Sequence, residues 1–119
     1  MPRPRAGFPT SWGNKRVSSI TIAGPASYSA YTAPTTGGQD VQLLPVLGIK
    51  TADVAYGSVS SDGLHRAEVV QIEASAVGGV TIPRSRLVLK WYVVSTGAEV
   101  AGGTNLSTKT VDLLVIGDS

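Results

Sequence analysis

From Val17 onward, short runs of β-branched, aromatic and aliphatic residues alternate with clusters of Gly, Pro, Asn, Asp and Ser. That is the punctuation of a chain built from strands. Val17 to Ala23 alternates into Ile20 and Ile22 and predicts a strand closed by Gly24-Pro25. Tyr28 to Ala33 is a weaker candidate that ends at Pro34, and Gln39 to Leu44 can pair briefly before Pro45. Leu44-Pro-Val-Leu-Gly48 predicts one helical turn with Gly48 as its C-terminal stop, and no longer helix is expected.

Asp53 to Val59 predicts the next strand, and Ser60-Ser-Asp-Gly63 a tight turn in which Asp-Gly supplies positive φ. Leu64 to Ala74 then reads as a long strand with no clean apolar face, which predicts a bulge near Glu68 or cover on both sides. Gly78-Gly79 closes that segment. Arg86 to Val94 has the highest β-propensity in the chain. Its Leu87, Leu89, Trp91 and Val93 should face a core, while Val88, Lys90, Tyr92 and Val94 face the other way, only partly in water. Ala98 to Ala101 and Lys109 to Gly117 complete the pattern. Seven or eight short strands in this length predict an all-β, single-domain β-sandwich or jelly-roll-like barrel. Such a domain must close or cover its edges, and an oligomer or a host surface is one way to do so.

The first sixteen residues break this pattern. They hold Pro2, Pro4 and Pro9, which remove amide donors and favour extended backbone, so residues 1–16 read as an extended N-terminal arm on a body of residues 17–119. Phe8 and Trp12 are two of only seven aromatic residues, and large rings are seldom left on a purely solvated tail. The arm is expected to dock on a neighbouring subunit or a partner.

Composition narrows the chemistry. With 119 residues, no Cys and one His, the chain cannot form disulfides, thiolate zinc sites, iron–sulfur clusters or multi-His metal centres. No apolar run is long enough to span a bilayer, and the opening residues lack the apolar core of a secretory signal, so neither a membrane span nor export by that route is expected. The net charge of +2 is segregated: residues 1–39 carry +4 through Arg3, Arg5, Lys15 and Arg16, and residues 40–119 carry −2. Four positive charges on a leader ahead of a mildly acidic body make a weak footprint for nucleic acid.

Candidate chemistry is sparse. His65 has no cysteine to activate and no serine in a nucleophile elbow, so a structural role is expected for it. Glu68 and Glu73 have opposite parity on a regular strand and, without a bulge, face opposite ways. The paired glycines lack the flanking residues of a phosphate loop and read as turns. No cluster of acids argues for calcium, and no cofactor is expected. Trp91 and the tyrosines could form a sugar-stacking platform, but core and strand-border positions account for them more simply.

One likeness to a known family stands beside these readings. The order of Tyr31, Gly37-Gly-Gln-Asp-Val41, Leu47-Gly-Ile49, Leu87-Val-Leu-Lys-Trp-Tyr92, Thr96-Gly-Ala-Glu-Val100 and Thr104-Asn-Leu-Ser107 before Leu113 to Gly117 resembles small β-rich structural proteins of tailed bacteriophages. These are the proteins encoded among head genes and assigned to capsid decoration, or cement. The likeness covers residues 28–117 and omits the arm. It implies a virion protein on the outer capsid surface, with the major capsid protein as partner, homo-oligomers (trimers favoured) and no catalytic residues. On that reading Arg3, Arg5, Phe8, Trp12, Lys15 and Arg16 supply partner contacts. The alternatives are a glycan-binding or adhesion sandwich displayed on the virion, and a tail or connector subunit.

Overall fold

A computed structural model describes residues 15–32, 36–77 and 79–118 of the chain. Six strands and one short helix follow in the order β1 (Lys15–Ala23), β2 (Gln39–Gln42), α1 (Leu43–Leu47), β3 (Thr51–Gly57), β4 (His65–Val77), β5 (Val80–Val93) and β6 (Thr110–Asp118). They form two three-stranded antiparallel sheets, β1-β6-β3 and β2-β5-β4. The two pack into an all-β sandwich, as the sequence pattern predicts.

The core lies between the central strands. On β6, Val111, Leu113 and Val115 alternate inward, and on β5 Leu87, Leu89 and Trp91 do the same, all of them buried. Ile20 and Ile22 of β1 close one side. Leu43, the first residue of α1, and Ile49, just beyond it, are fully buried, and Gly48 ends the helix at φ 69, its N–H bonded to the Leu44 carbonyl. That positive φ is why a glycine stops the turn there.

Two segments with strand-like sequence are not strands. Residues 28–32 and 98–101 form irregular cover: Thr32 and Thr36 bridge each other outside the ladders, and residues 98–101 meet β5 through the isolated bridge Tyr92↔Glu99. Residues 98–100 exchange bonds with β5, the Val93 N–H donating to the Ala98 carbonyl and the Val100 N–H to that of Trp91, while residues 28–31 are held in place by Glu99. Its Oε2 accepts from the Tyr28 hydroxyl at 2.8 Å and from the Tyr31 N–H at 2.6 Å. The Tyr28 oxygen in turn accepts the Trp91 N–H at 3.2 Å. Burial pushes the Tyr28 phenol well above its ordinary pKa, so it stays neutral and donating. Tyr31 then crosses the outer face of β2-β5-β4 to reach Gln71 at 2.7 Å, which is why outward-pointing Val88 is only 2 % exposed.

Irregularities bend the long hairpin. The β4–β5 register shifts between Val69 and Gln71 and again between Glu73 and Ser75. The first shift lies beside Glu68, where the mixed faces of the sequence point to a bulge. It also realigns the acids: Glu68 pairs with Lys90 and Glu73 with Arg86, partners of equal parity on β5, so both carboxylates face the outer side. Each is held by an arginine, Glu68 by Arg66 and Glu73 by Arg86. Strand β5 also begins at Val80, ahead of the Arg86 start in the sequence pattern, because Pro83 sits in the second irregularity rather than in a regular ladder.

Two expectations follow. Tyr28→Phe strands the buried Trp91 N–H and removes a donor from Glu99, and should cost about 1–3 kcal/mol in urea unfolding with unchanged m. The second concerns pH. Asp62 is held below the ordinary carboxylate range chiefly by Lys109, helped by Ser60 and the Leu64 N–H, and Asp118 is held low chiefly by Lys15. Depressed acids stabilise the fold above their unfolded pKa, so thermal stability should fall as pH drops below about 4. Lys15 is raised by Asp53 and Asp118, and its contribution should persist until pH passes above the ordinary lysine value of about 10.4. Asp62→Asn should flatten part of the acid limb, measured as Tm against pH.

Candidate interaction surface

Among the described residues nothing covers the outward side of sheet β1-β6-β3. Register places Val17, Ile116 and Val54 in one row across the three strands, and Ser19, Leu114 and Tyr56 in the next. Val17 is 53 %, Tyr56 59 %, Leu114 40 % and Val54 39 % exposed. Polar rows border this apolar block at both ends. On one side Lys15 bridges Asp53 at 2.8 Å and Asp118 at 3.0 Å, and Thr51 donates to Asp118. On the other, Thr21 donates to Asp112 at 2.6 Å. An apolar patch rimmed by polar residues is a candidate contact surface.

The patch turns a corner onto the seam between β3 and β4, the edge strands of the two sheets. At its upper end the seam is closed. Gly57 lies so near β4 that a Cβ there would sit 2.4 Å from the Ala67 carbonyl oxygen; Ala67 N–H donates to Ser58, and Val59 bridges Arg66. At its lower end Arg84 reaches across from β5, donating through Nε to the Ala52 carbonyl at 2.6 Å and through Nη2 to that of Asp53 at 2.9 Å. These carbonyls flank the β3 bulge, which frees them from the ladder. Arg84 itself has φ 54, a strained value for a residue with a side chain. Between these two clamps run shallow depressions of ≈ 360 and ≈ 300 Å³, bordered by Val54, Tyr56, Val69 and Ile72. No β-pairing joins the two strands along this stretch, so both edges keep unpaired backbone groups, the usual template for an added strand.

Of the residues expected to make partner contacts, Arg3, Arg5, Phe8 and Trp12 lie outside the described residues. Lys15 and Arg16 belong to β1, which therefore begins two residues before the Val17 start in the sequence pattern. Lys15 is engaged by two carboxylates, and Arg16 donates to the Gly48 carbonyl at 3.3 Å. The sequence reading missed Val54, Leu114 and Ile116, and weighed Tyr56 only among the tyrosines of a sugar-stacking platform. The one available signal was the alternation of Val17 against Ile20 and Ile22, which leaves Val17 outside.

The remaining candidates for chemistry are dispersed. His65 opens β4, its N–H bonded to Ser60 Oγ at 3.1 Å and its Nδ1 buried without a hydrogen-bonding partner. Among the described residues no three of His, Cys, Asp or Glu come together as a metal site. Also among them, no helix is long and apolar enough to cross a membrane. Trp91 is fully buried, its Nε1–H donating to Gln39 at 2.8 Å. The tyrosine rings of the opposite sheet already meet cations: Arg66 stacks 4.1 Å from the Tyr92 centroid, and Lys90 lies 5.3 Å from Tyr92 and 5.8 Å from Tyr31. No family model, curated protein or solved structure matches the chain.

The Arg84 clamp can be tested directly. Arg84→Ala keeps the strained backbone and loses both charge-assisted bonds, and should destabilise by about 2 kcal/mol. Arg84→Gly should cost less, because glycine accepts positive φ, and the ordering in urea midpoints checks the assignment.

Proposed function

We propose that this chain is a non-enzymatic structural protein of a tailed-phage virion, a decoration protein that binds the assembled major capsid lattice and stabilises it. The observation that carries the reading is the apolar block around Leu114 and Tyr56, bordered by the unpaired edges of β3 and β4. It is a surface for holding another protein. Among the described residues the carboxylates are spread apart, and each is held by a cation or a hydroxyl. The likeness of residues 28–117 to head decoration proteins supplies the class. A shell presents the same site many times, so modest contacts from each copy add up through avidity, and a homo-oligomer, trimers favoured, multiplies them further. In this reading the leading segment, with Arg3, Arg5, Phe8 and Trp12, adds contacts beyond the body, and the seam accepts an extended strand from the capsid.

Because Lys15 and Arg16 are part of β1, the arm is removed cleanly only by deleting residues 1–14. The full chain should co-sediment with undecorated heads and raise their resistance to heat. The chain without residues 1–14 should keep its circular dichroism spectrum and lose occupancy by about tenfold or more. No binding of the full chain to heads overturns the decoration reading, and undiminished binding of the shortened chain overturns the role of the arm.

A further inference from the structure

The far end of the β4–β5 hairpin stands apart from the sandwich. Strand β2 accompanies β5 only over its Arg86 to Leu89 stretch, and towards the hairpin end the ladder continues as two strands alone, through Ser75↔Ile82 and Ala76↔Thr81 to Val77↔Val80. Among the described residues, the hydrogen bonds of this arm, residues 74–83, stay within the hairpin, as from Ser85 to the Ile82 carbonyl at 2.8 Å. Its root is fixed by Arg84 on the Ala52 and Asp53 carbonyls and by Arg86 on Glu73 and Asp40. The arm itself, Ala74 to Pro83, contains no charged residue. A two-stranded ladder is marginal in water unless something packs on it, and charged side chains are a usual guard of such open edges. This one is built to be covered.

The apolar block on β1-β6-β3 has the complementary shape. It is two rows long and three strands wide, roughly 14 × 14 Å, while four residues on each strand of the arm span about 14 Å by 10 Å. Val80 and Ile82 share one face of the arm, about 7 Å apart, the same spacing as the two rows of the block. Val80 at 61 % and Tyr56 at 59 % are the two most exposed large apolar side chains among the described residues, one on each surface. Charge separates the possible pairings. Asp53, Asp112 and Asp118 border the block against Lys15 alone, a balance of −2, so two blocks repel each other, whereas the arm brings no charge. Nor can the arm cover the block of its own molecule. It extends β4 and β5, and the block lies on the side of the other sheet that faces away from them.

We propose that the hairpin arm binds a second copy of this chain, Val80 and Ile82 of one copy lying across the Val17–Ile116–Val54 and Ser19–Leu114–Tyr56 rows of the next. Each copy gives one arm and receives another. At about 30 Å² per interface residue, the arm and the patch that takes it cover roughly 600 Å² of each copy, or about 1,200 Å² in total, the lower end of the range for specific interfaces. The fixed root leaves little freedom to lose on docking. This supplies the contact for the homo-oligomer of the proposed function and leaves the seam open to an added strand, but it rests on the fold alone.

The chain has no cysteine, so single cysteines report the contact directly. Val80→Cys mixed with Tyr56→Cys should give a disulfide-linked dimer under mild oxidation, and neither variant should link efficiently to itself. In sedimentation the unaltered chain should exceed the monomer mass at tens of micromolar, roughly. Val80→Asp, at the exposed tip, and Tyr56→Asp, on an edge strand, should each weaken association by about tenfold or more with unchanged circular dichroism. A monomer at every concentration overturns the proposal. So does Val80→Cys linking to itself in place of the mixed pair, or a folded Val80→Asp chain that associates as tightly as the parent. Heads do not enter these measurements, so failure here and failure of the decoration reading are separable.

Discussion

A three-stranded sheet has one central strand and two edges, and this molecule is made of two such sheets. Among the described strands, only β5 and β6 have neighbours on both sides. These two strands therefore carry the core, and everything else in the structure covers them or their flanks. Their inward residues alternate cleanly, Leu87, Leu89 and Trp91 facing Val111, Leu113 and Val115. Antiparallel sheets of this kind leave one face to the core and one to be solvated or covered. The two outer faces are treated differently. On β2-β5-β4, the irregular segment around Tyr31 lies over Val88, held by Glu99 and Gln71. On β1-β6-β3, nothing among the described residues lies over Leu114. The contact surface follows from that asymmetry.

Bulges decide the finer placement of side chains. Because side chains alternate with a period of two, one extra residue moves everything beyond it to the other face. The shift beside Val70 brings Glu68 and Glu73 to one side, each against an arginine rather than against each other. The β3 irregularity at Asp53 exposes carbonyls that Arg84 then binds, so a strained backbone on one sheet is held by a defect in the other. Both sheets are thereby tied at the lower end of the seam, and Gly57 permits their closest approach at the upper end.

Local alternation was enough to read β1, the inward set of β5, the Asp-Gly turn and the single helical turn ended by Gly48. It was not enough for residues 28–32 and 98–101. Propensity records that a residue can pair, not that a full partner strand is present: residues 98–101 meet β5 at a single bridge, and the Tyr31 N–H goes to the Glu99 carboxylate, 68 positions away in sequence. The contact surface was hidden for a related reason. Leu113-Leu-Val-Ile116 is apolar throughout, so only pairing with β1 and β3 decides that Leu114 and Ile116 point outward while Leu113 and Val115 are buried. The doubly clamped seam depends on contacts between sheets, which no local pattern encodes.

The placement of Lys15 changes the meaning of the charge distribution. The sequence assigns +4 to residues 1–39, which favours an arm attracted to an acidic surface. In the fold, however, Lys15 faces two carboxylates at the rim of the sheet, and Arg16 is anchored beside α1 by the Gly48 carbonyl. Ahead of β1 the positive charge reduces to Arg3 and Arg5. Two separated arginines at physiological salt are screened beyond about 8 Å and contribute little to attachment on their own. The larger potential gain lies in the rings: burying Phe8 and Trp12 is worth about 1.5–3 kcal/mol each at ordinary hydrophobic values, and is far less sensitive to salt. On these magnitudes, any contact made by this segment would draw more on its two rings than on its two charges.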